Sequence, residues 1–189
     1  MPRKQRKRQY LTLDELKALH STIPNKKPRD KLLIYLMSRM GLRVGEAVNL
    51  RWGDISFTDH TINVRRTATD KTTTKGGNWR TIEIDPVVWD LLTRIPEHER
   101  GVYVIRVGTG ERPMTTRNVR KLLRRYAKLA KIQVDVYPHI LRHSFAIQYL
   151  QNGGMLEDLR RILGHSRLDV TQVYLDYTGR IGKLPVLSY

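Results

Sequence analysis

The chain has 189 residues, 40% of them hydrophobic, which is enough to form one complete hydrophobic core without disulfide bonds or structural metals. It contains no cysteine, so disulfide bonds and thiolate metal sites are excluded. Lys and Arg number 35 against 18 Asp and Glu, and the net charge of +17 indicates a polyanionic partner, nucleic acid ahead of an anionic membrane surface. We recognise no secretory signal and no run near the roughly 20 apolar residues of a membrane span, so we expect a soluble, cytoplasmic protein.

The first part of the chain predicts a basic tail followed by three helices. Residues 1–10, MPRKQRKRQY, are expected to be flexible and able to contact phosphates. Thr12, with Glu15 three residues later, forms a capping-box pattern that opens a short helix through His20. The apolar stretch RDKLLIYLMSRMG predicts a buried second helix ended by Gly41, and RVGEAVNLRW predicts a third.

The hydrophobic periodicity changes between Asp54 and Asp85. The segments DISF, TINVRR and RTIEI alternate and carry β-branched residues, which predicts a small antiparallel sheet of three strands. The last loop of this sheet is TATDKTTTKGGNW. Because helical patterns occupy most of the remaining chain, the predicted fold class is mixed α/β (α+β) and mostly helical.

Two amphipathic helices are predicted after the sheet. The first begins at Asp85 and Pro86 and runs to about Ile95. Its expected inward residues are Val87, Val88, Leu91 and Leu92. The second helix is TTRNVRKLLRRYAKLAKI. Its expected core face is Val119, Leu122, Leu123, Tyr126 and Leu129. Its basic face, predicted to bind DNA, is Arg117, Lys121, Arg124, Lys128 and Lys131.

A further long helix is predicted over residues 138 to about 152, between an initial proline and the left-handed stop at Gly153. His139, Arg142 and His143 would lie side by side at its N-terminal end, where unpaired N–H groups and the helix dipole favour an anion. This stretch alone fits a phosphate site and a solvated basic helix start equally well. Two short helices, in MLEDLRRILG and LDVTQVYLDY, are predicted to follow.

Four segments occur in a characteristic order: GLRVGEAVNLRW at 41–52, TTKGGNWRTIEI at 73–84, HILRHS at 139–144 and LGHSRLDVTQVYL at 163–175. Each is a weak signal alone, but together they resemble the tyrosine recombinase (phage integrase) family over about residues 11–177. The resemblance implies the catalytic-domain fold of that family. It places the catalytic positions at Arg43, Lys75, His139, Arg142, His165 and Tyr174. Glu46 falls on a supporting acidic position beside Arg43, and His143 is a second supporting candidate.

The resemblance also implies an activity and partners. A family member breaks and rejoins DNA through a 3′-phosphotyrosine, and it needs no metal, nucleotide or other cofactor because the covalent link conserves the energy. The implied partners are double-stranded DNA and further copies of the chain in a tetrameric synapse. The implied setting is the nucleoid of a prokaryotic, archaeal or viral system, with no membrane partner.

The residue types suit phosphoryl transfer on physical grounds. Two guanidiniums, Arg43 and Arg142, can clamp the oxygens of a phosphodiester. A phenol of ordinary pKa, near 10, is a poor nucleophile and needs a base, for which neutral His139 is the candidate. Lys75 on a Gly-flanked loop would protonate the departing 5′-oxygen, and His165 would bind a non-bridging oxygen.

Three assignments stay open. Lys71 rivals Lys75 because it lies close by in the same loop. Family members usually have a second Lys or similar residue three positions after the lysine, where this chain has Asn78 followed by Trp79. Tyr177 lies one turn beyond Tyr174, although the spacing of nine residues from the Gly-His pair favours Tyr174. His143 is as well suited to packing or capping as to chemistry.

The predicted domain organisation is a tail at 1–10, a catalytic domain at 11–178 and a second tail at 179–189. Family members commonly carry a separate N-terminal DNA-binding domain, and only about ten residues precede the catalytic pattern here. We therefore expect either a catalytic fragment or a protein that clamps DNA with its basic tail. The C-terminal tail is expected to be either exchanged with a neighbouring subunit or disordered.

Three other functions remain as alternatives. A type IB topoisomerase-like relaxase would use the same residue types but would act alone, without paired sites. A non-catalytic DNA-binding module would keep the charge and would not need Tyr174. A metal-dependent nuclease is disfavoured because the acidic residues do not cluster with the histidines.

Overall fold

The computed structural model describes residues 9–65, 79–107, 112–165 and 169–174, with the backbone alone at 169–170. Helices predominate within these ranges, together with one antiparallel sheet of three strands. The predicted mixed, mostly helical α/β fold class is therefore confirmed. None of the helices in this part of the chain has the length and apolar character needed to cross a membrane.

Three helices precede the sheet. Helix α1 (Leu13–Ser21) begins with the expected capping box: the Glu15 N–H donates to Thr12 Oγ1, and the Thr12 N–H donates to the Glu15 carboxylate. Helix α2 (Pro28–Ser38) is buried along its last two turns, which explains its nearly uniform apolar sequence. The chain then turns at Gly41, in the left-handed region with φ +67°, and enters α3 (Val44–Asn49).

The sheet consists of β1 (Ile55–Ser56), β2 (Thr61–Arg65) and β3 (Trp79–Glu83) in that order. In the register of β2 with β3, Ile62 is opposite Ile82 and Val64 is opposite Arg80. Ile62, Val64 and Ile82 are buried, so the alternation places Arg80 on the same, inward face. The hairpin loop between β2 and β3, with Lys71 and Lys75, lies outside the described residues.

Helix α4 (Pro86–Thr93) is capped by Asp85, whose carboxylate accepts the N–H groups of Val87 and Val88. Three of the four expected inward residues are buried: Val88, Leu91 and Leu92. The prediction for Val87 is wrong, since its side chain is 40% exposed. The buried stripe follows the three- and four-residue spacing from Val88, and Val87 lies about 100° around the helix from it.

Helix α5 (Thr116–Leu129) has the predicted amphipathic character, and all five residues of the expected basic face are exposed. The prediction that Lys131 lies on the helix is wrong, because α5 ends at Leu129 and Lys131 follows it with a left-handed backbone, φ +56°. Val119, Leu123 and Tyr126 are buried and Leu122 packs at the edge of the core. The prediction for Leu129 is wrong, because this last helical residue is 59% exposed. The helix ends at this residue, so its burial depends on neighbouring elements and not on helical periodicity.

The C-terminal helices are α6 (Pro138–Gln151), α7 (Leu156–Leu163) and α8 (Asp169–Gln172). Helix α6 matches the predicted boundaries to within one residue. Its N-terminal half joins the main core, which it shares with α2, while its C-terminal half belongs to a second apolar cluster. That cluster consists of Ala146, Ile147, Leu150, Leu159, Leu163 and Tyr174. Helix α6 therefore connects the main core to the segment that carries Tyr174.

Candidate active site

The starts of three helices surround a cleft of about 340 Å³. Arg43 stands at the N-terminus of α3, Thr116 opens α5, and His139 and Arg142 lie on the first turns of α6. Each helix thus points its N-terminal end, with its partial positive charge, at the same space. Arg43 is 96 positions before His139 in the sequence, and the fold brings it into one cleft with His139 and Arg142.

Arg142 forms the buried floor of this cleft, with 4% of its surface exposed. Its Nη1 donates to the Gly41 carbonyl and its Nη2 to the Leu163 carbonyl, both at 2.6 Å. Burial, followed by the charge of Arg43, lowers the pKa of Arg142 to about 9, while the nearby Glu46 carboxylate opposes that shift. The guanidinium therefore stays cationic at neutral pH and is fixed in position by two carbonyls.

Glu46 is the buried anion of the site, and its carboxylate meets three guanidiniums. Arg80 donates to both oxygens, at 2.7 and 2.8 Å, and Arg43 Nη1 donates to Oε1 at 3.1 Å. Arg142 Nη1 lies 3.8 Å from Oε2. Burial would raise the pKa of Glu46, but the hydrogen bonds and charges of these arginines outweigh it and hold the pKa below its usual value. The carboxylate is consequently ionised and links the guanidiniums to one another.

The C-terminal end of α7 supplies a second set of acceptors for the same guanidiniums. The Ile162 carbonyl accepts from Arg80 Nε at 2.7 Å, and the Leu163 carbonyl accepts from Arg142 and, at 3.3 Å, from Arg43. Carbonyls in the last turn of a helix have no partner within the helix, and the helix dipole makes that end attractive to cations. The end of α7 therefore fixes the relative positions of strand β3, α3 and α6.

His165 follows directly after α7 and contacts Arg142. Its Nε2 lies 3.2 Å from Arg142 Nη2 and its Nδ1 lies 2.9 Å from Thr171 Oγ1. Arginine can only donate, so Nε2 is the acceptor and the proton sits on Nδ1, pointing at Thr171. Burial and then the charges of Arg142, Arg43 and other cations lower the pKa of His165 to about 3, so the ring is neutral.

Tyr174 lies after α8 and is buried against α6, with 4% of its surface exposed. Its hydroxyl is 2.9 Å from Nδ1 of His143, and the two ring centroids are 5.5 Å apart. His143 and His139 are neighbours on α6, with ring centroids 6.3 Å apart. The phenol therefore lies next to the same helix that carries His139 and Arg142 into the cleft.

A model of the phage integrase family matches residues 9–179. The chain belongs to the phage integrase family.

Named relatives agree with this assignment. Tyrosine recombinase XerA of Pyrococcus furiosus is 34% identical over 177 residues, which are 90% of this chain and 58% of the relative. A crystal structure of XerA recombinase superposes with a TM-score of 0.75 at 28% identity, covering 93% of this chain and 66% of that one. The catalytic domain of bacteriophage HP1 integrase shares the fold, with a TM-score of 0.66 at 23% identity, covering 89% of this chain and 87% of that domain. The chain spans about three fifths of the length of its XerA relative.

Five of the six residues that the sequence placed on phage integrase catalytic positions lie in the described ranges. The structure gathers all five around the N-terminal half of α6 and the end of α7: Arg43, His139, Arg142, His165 and Tyr174. Lys75, its rival Lys71 and the alternative tyrosine Tyr177 lie outside the described residues. Glu46 contacts Arg43 as expected.

Two contacts differ from the roles that the sequence suggested. The expected base for the tyrosine was His139, whereas the imidazole that contacts the Tyr174 hydroxyl is that of His143. His165 was expected to bind a phosphate oxygen, and in this structure its Nε2 instead accepts from Arg142. The described residues contain no group of three or more His, Cys, Asp and Glu side chains placed to hold a metal ion.

Three further residues belong to the site beyond those that the sequence indicated: Arg80, Arg120 and Thr171. Arg80 could have been predicted from the strand pattern, because it occupies an inward position of β3, where a buried arginine needs an acidic partner. Arg120 lies on the same exposed side of α5 as Arg117, Lys121 and Arg124, and its charge contributes to lowering the pKa of His139. Burial and the charges of Arg142 and Arg43 are the larger causes of that shift. Thr171 has no such signal, because its role depends on how α8 folds back onto His165.

Proposed function

We propose that this chain is the catalytic part of a site-specific recombinase that cleaves and rejoins double-stranded DNA through a 3′-phosphotyrosine. The observation that carries the proposal is the buried Tyr174 hydroxyl, in contact with an imidazole of the helix that carries Arg142. A phenol in contact with a neutral imidazole and next to a guanidinium cluster has the parts that nucleophilic attack on a phosphodiester requires.

Arg43 and Arg142 bind the scissile phosphate in this proposal. Phosphoryl transfer requires that the protein position the reacting groups and place positive charge around the non-bridging oxygens. Arg142 has a fixed position because two carbonyls and Glu46 hold it, and Arg43 lies beside it at the mouth of the cleft. His139 lines the same cleft and binds the phosphate with them.

The reaction then follows from these positions. The Tyr174 oxygen attacks phosphorus, its proton passes to a histidine of α6, and the bond from phosphorus to the 5′-oxygen breaks. The 5′-oxygen takes up a proton, for which Lys75 is the candidate donor. A 5′-hydroxyl from a second strand attacks the phosphotyrosine and releases Tyr174. The covalent bond conserves the energy of the phosphodiester, so neither a metal ion nor a nucleotide takes part.

Recombination rather than relaxation of supercoils is supported by the names of the relatives, which are tyrosine recombinases. Recombination joins two DNA sites, so the proposal includes several copies of the chain on DNA, in a tetrameric synapse within the nucleoid. Duplex DNA is bound by the exposed basic face of α5, whose first residues adjoin the cleft. The basic tail at 1–10 adds phosphate contacts, and the C-terminal tail at 179–189 contacts a neighbouring copy.

The test is a covalent adduct on nicked suicide substrates drawn from the element that encodes the protein. We expect a protein–DNA band that survives denaturation, forms in EDTA and disappears in Tyr174→Phe. Tyr149→Phe is the matched control, because Tyr149 packs on the same apolar cluster and should leave the adduct intact. Relaxation of supercoiled DNA without paired sites and without recombinant product would favour the relaxase alternative. An adduct in Tyr174→Phe would remove Tyr174 from the mechanism.

A further inference from the structure

His143 and Tyr174 form a contact in which the mechanism above does not say what His143 does. The phenol oxygen and Nδ1 are 2.9 Å apart, within the range of a hydrogen bond. Tyr174 is buried, and His143 is half-buried. His139, which the sequence suggested as the base, is exposed at the cleft beside Arg43 and Arg142. The two histidines therefore face different partners, one the phenol and the other the space for the phosphate.

The protonation state of His143 suits it to accept a proton. Burial and then the charges of His139 and Arg142 lower the pKa of His143, so its ring is neutral at neutral pH. A neutral imidazole has one nitrogen with a proton and one without. With the proton on Nε2, Nδ1 is free to accept the phenolic hydrogen at the observed distance.

We propose that His143 is the group that takes the proton of Tyr174 during cleavage. The proposal rests on the proposed function, since it assumes that Tyr174 is the nucleophile. The phenolic proton passes to Nδ1 as the bond from the phenol oxygen to phosphorus forms and the bond from phosphorus to the 5′-oxygen breaks. The leaving 5′-oxygen takes its own proton from Lys75 or solvent. In the reverse step the imidazolium returns its proton to the tyrosine. His139 binds the phosphate instead of acting as the base.

The large difference between the ordinary pKa of a phenol and that of an imidazole does not prevent this transfer. The phenol becomes a far stronger acid as its oxygen bonds to phosphorus, so the proton moves downhill in the transition state. The base must only be within hydrogen-bonding distance, which His143 is. A general base of this kind contributes about 10²- to 10⁴-fold to the rate.

The experiment exploits the acidity of the nucleophile. We would replace Tyr174 with a fluorinated tyrosine, whose more acidic phenol depends less on a base, and measure the single-turnover rate of adduct formation on a suicide substrate. His143→Asn keeps a polar group near the position of Nδ1 but cannot take a proton at neutral pH. We expect His143→Asn to lose about 100-fold or more in rate. The fluorinated tyrosine should raise the rate of His143→Asn by about tenfold or more. It should not raise the rate of His139→Asn.

Each other outcome overturns the proposal in a distinguishable way. Rescue of His139→Asn but not of His143→Asn would return the role of base to His139. An unchanged or faster rate in His143→Asn would mean that the contact only holds Tyr174 in its buried position. No adduct from the wild-type chain would overturn the proposed function itself. Thermal unfolding and DNA affinity of His143→Asn, expected to stay near those of wild type, separate a catalytic defect from misfolding.

Discussion

Both carboxylate oxygens of Glu46 accept hydrogen bonds from the guanidinium of Arg80, although the two residues are 34 positions apart in the sequence. The side chain of Glu46 is 1% exposed and that of Arg80 is 12% exposed, so this is a buried ion pair. Its geometry joins the last strand of the sheet to α3, and through the Ile162 carbonyl it joins both to α7.

Replacement of Arg80 should therefore be strongly destabilising. In Arg80→Met the buried Glu46 loses its bidentate partner, and we expect the free energy of unfolding to fall by about 3–5 kcal/mol. Urea unfolding measures the change. The control is Arg94→Met, which breaks an exposed pair with Asp90 and should change stability by less than about 1 kcal/mol. Equal losses in the free energy of unfolding would show that the buried pair with Glu46 stabilises the fold no more than the exposed pair does.

Acid should destabilise the fold through His20. The His20 ring forms a hydrogen bond with Ser38 Oγ at 2.9 Å and packs at a tilt of 48° against the ring of Tyr35. Burial, followed by the charge of Arg39, lowers the pKa of His20 from 6.5 to about 4. The unfolded state thus binds more protons between pH 4 and 6.5, so stability is complete above pH 6.5 and falls as the pH drops through that window. Between pH 8 and pH 5 the contribution amounts to about 2 kcal/mol.

His20→Gln isolates this contribution because glutamine does not titrate. The free energy of unfolding should fall between pH 8 and pH 5 in both proteins. The fall in His20→Gln should be smaller than the fall in the wild type by about 2 kcal/mol. Chemical denaturation at the two pH values gives the comparison. Parallel pH profiles for wild type and variant would show that His20 is not buried as a neutral ring.

The basic face of α5 should set the salt dependence of DNA binding. Each phosphate contact that is lost reduces the slope of log affinity against log salt by roughly 0.9 on B-form DNA. The double variant Lys121→Gln/Arg124→Gln is expected to lower the slope by about 2, measured by fluorescence anisotropy on random duplex. Lys17→Gln, an exposed cation on α1, is the control and should leave the slope nearly unchanged. A slope that falls equally in control and double variant would argue against a localised binding face.

Lys75 remains a sequence-based prediction, and chemistry can test it. If Lys75 protonates the leaving oxygen, Lys75→Ala should recover cleavage on a substrate in which sulfur replaces the bridging 5′-oxygen, because a thiolate leaves without a proton. We expect rescue of Lys75→Ala and none of Tyr174→Phe. Failure of rescue in Lys75→Ala, with rescue of Lys71→Ala, would assign the role to the other lysine of the loop.

Local signals in the sequence predicted much of the fold. The capping box of α1, the proline and glycine that bound α6 and the alternation in the sheet depend on residues close in sequence, and all three are confirmed. The errors at Val87 and Leu129 have one cause. An apolar residue next to a buried stripe, or at the last position of a helix, is placed by neighbouring elements, which periodicity does not describe.

The site was predictable only as a set of residues, not as a set of contacts. The order of motifs placed Arg43, His139, Arg142 and His165 on family catalytic positions. Which histidine contacts the tyrosine depends on where the segment after α7 folds back. Arg80 shows the other limit. Its inward position could be read from the strand pattern, whereas its partner Glu46 could not, because nothing local connects a strand to a helix 34 residues earlier.

The guanidiniums of Arg43, Arg80 and Arg142 donate to the last carbonyls of α7. The length of α7 therefore determines whether these carbonyls reach their donors. One residue inserted within α7 would rotate the carbonyls of Ile162 and Leu163 by about 100° and move them 1.5 Å along the axis, away from their donors. Active homologues should therefore keep the length of α7 unchanged.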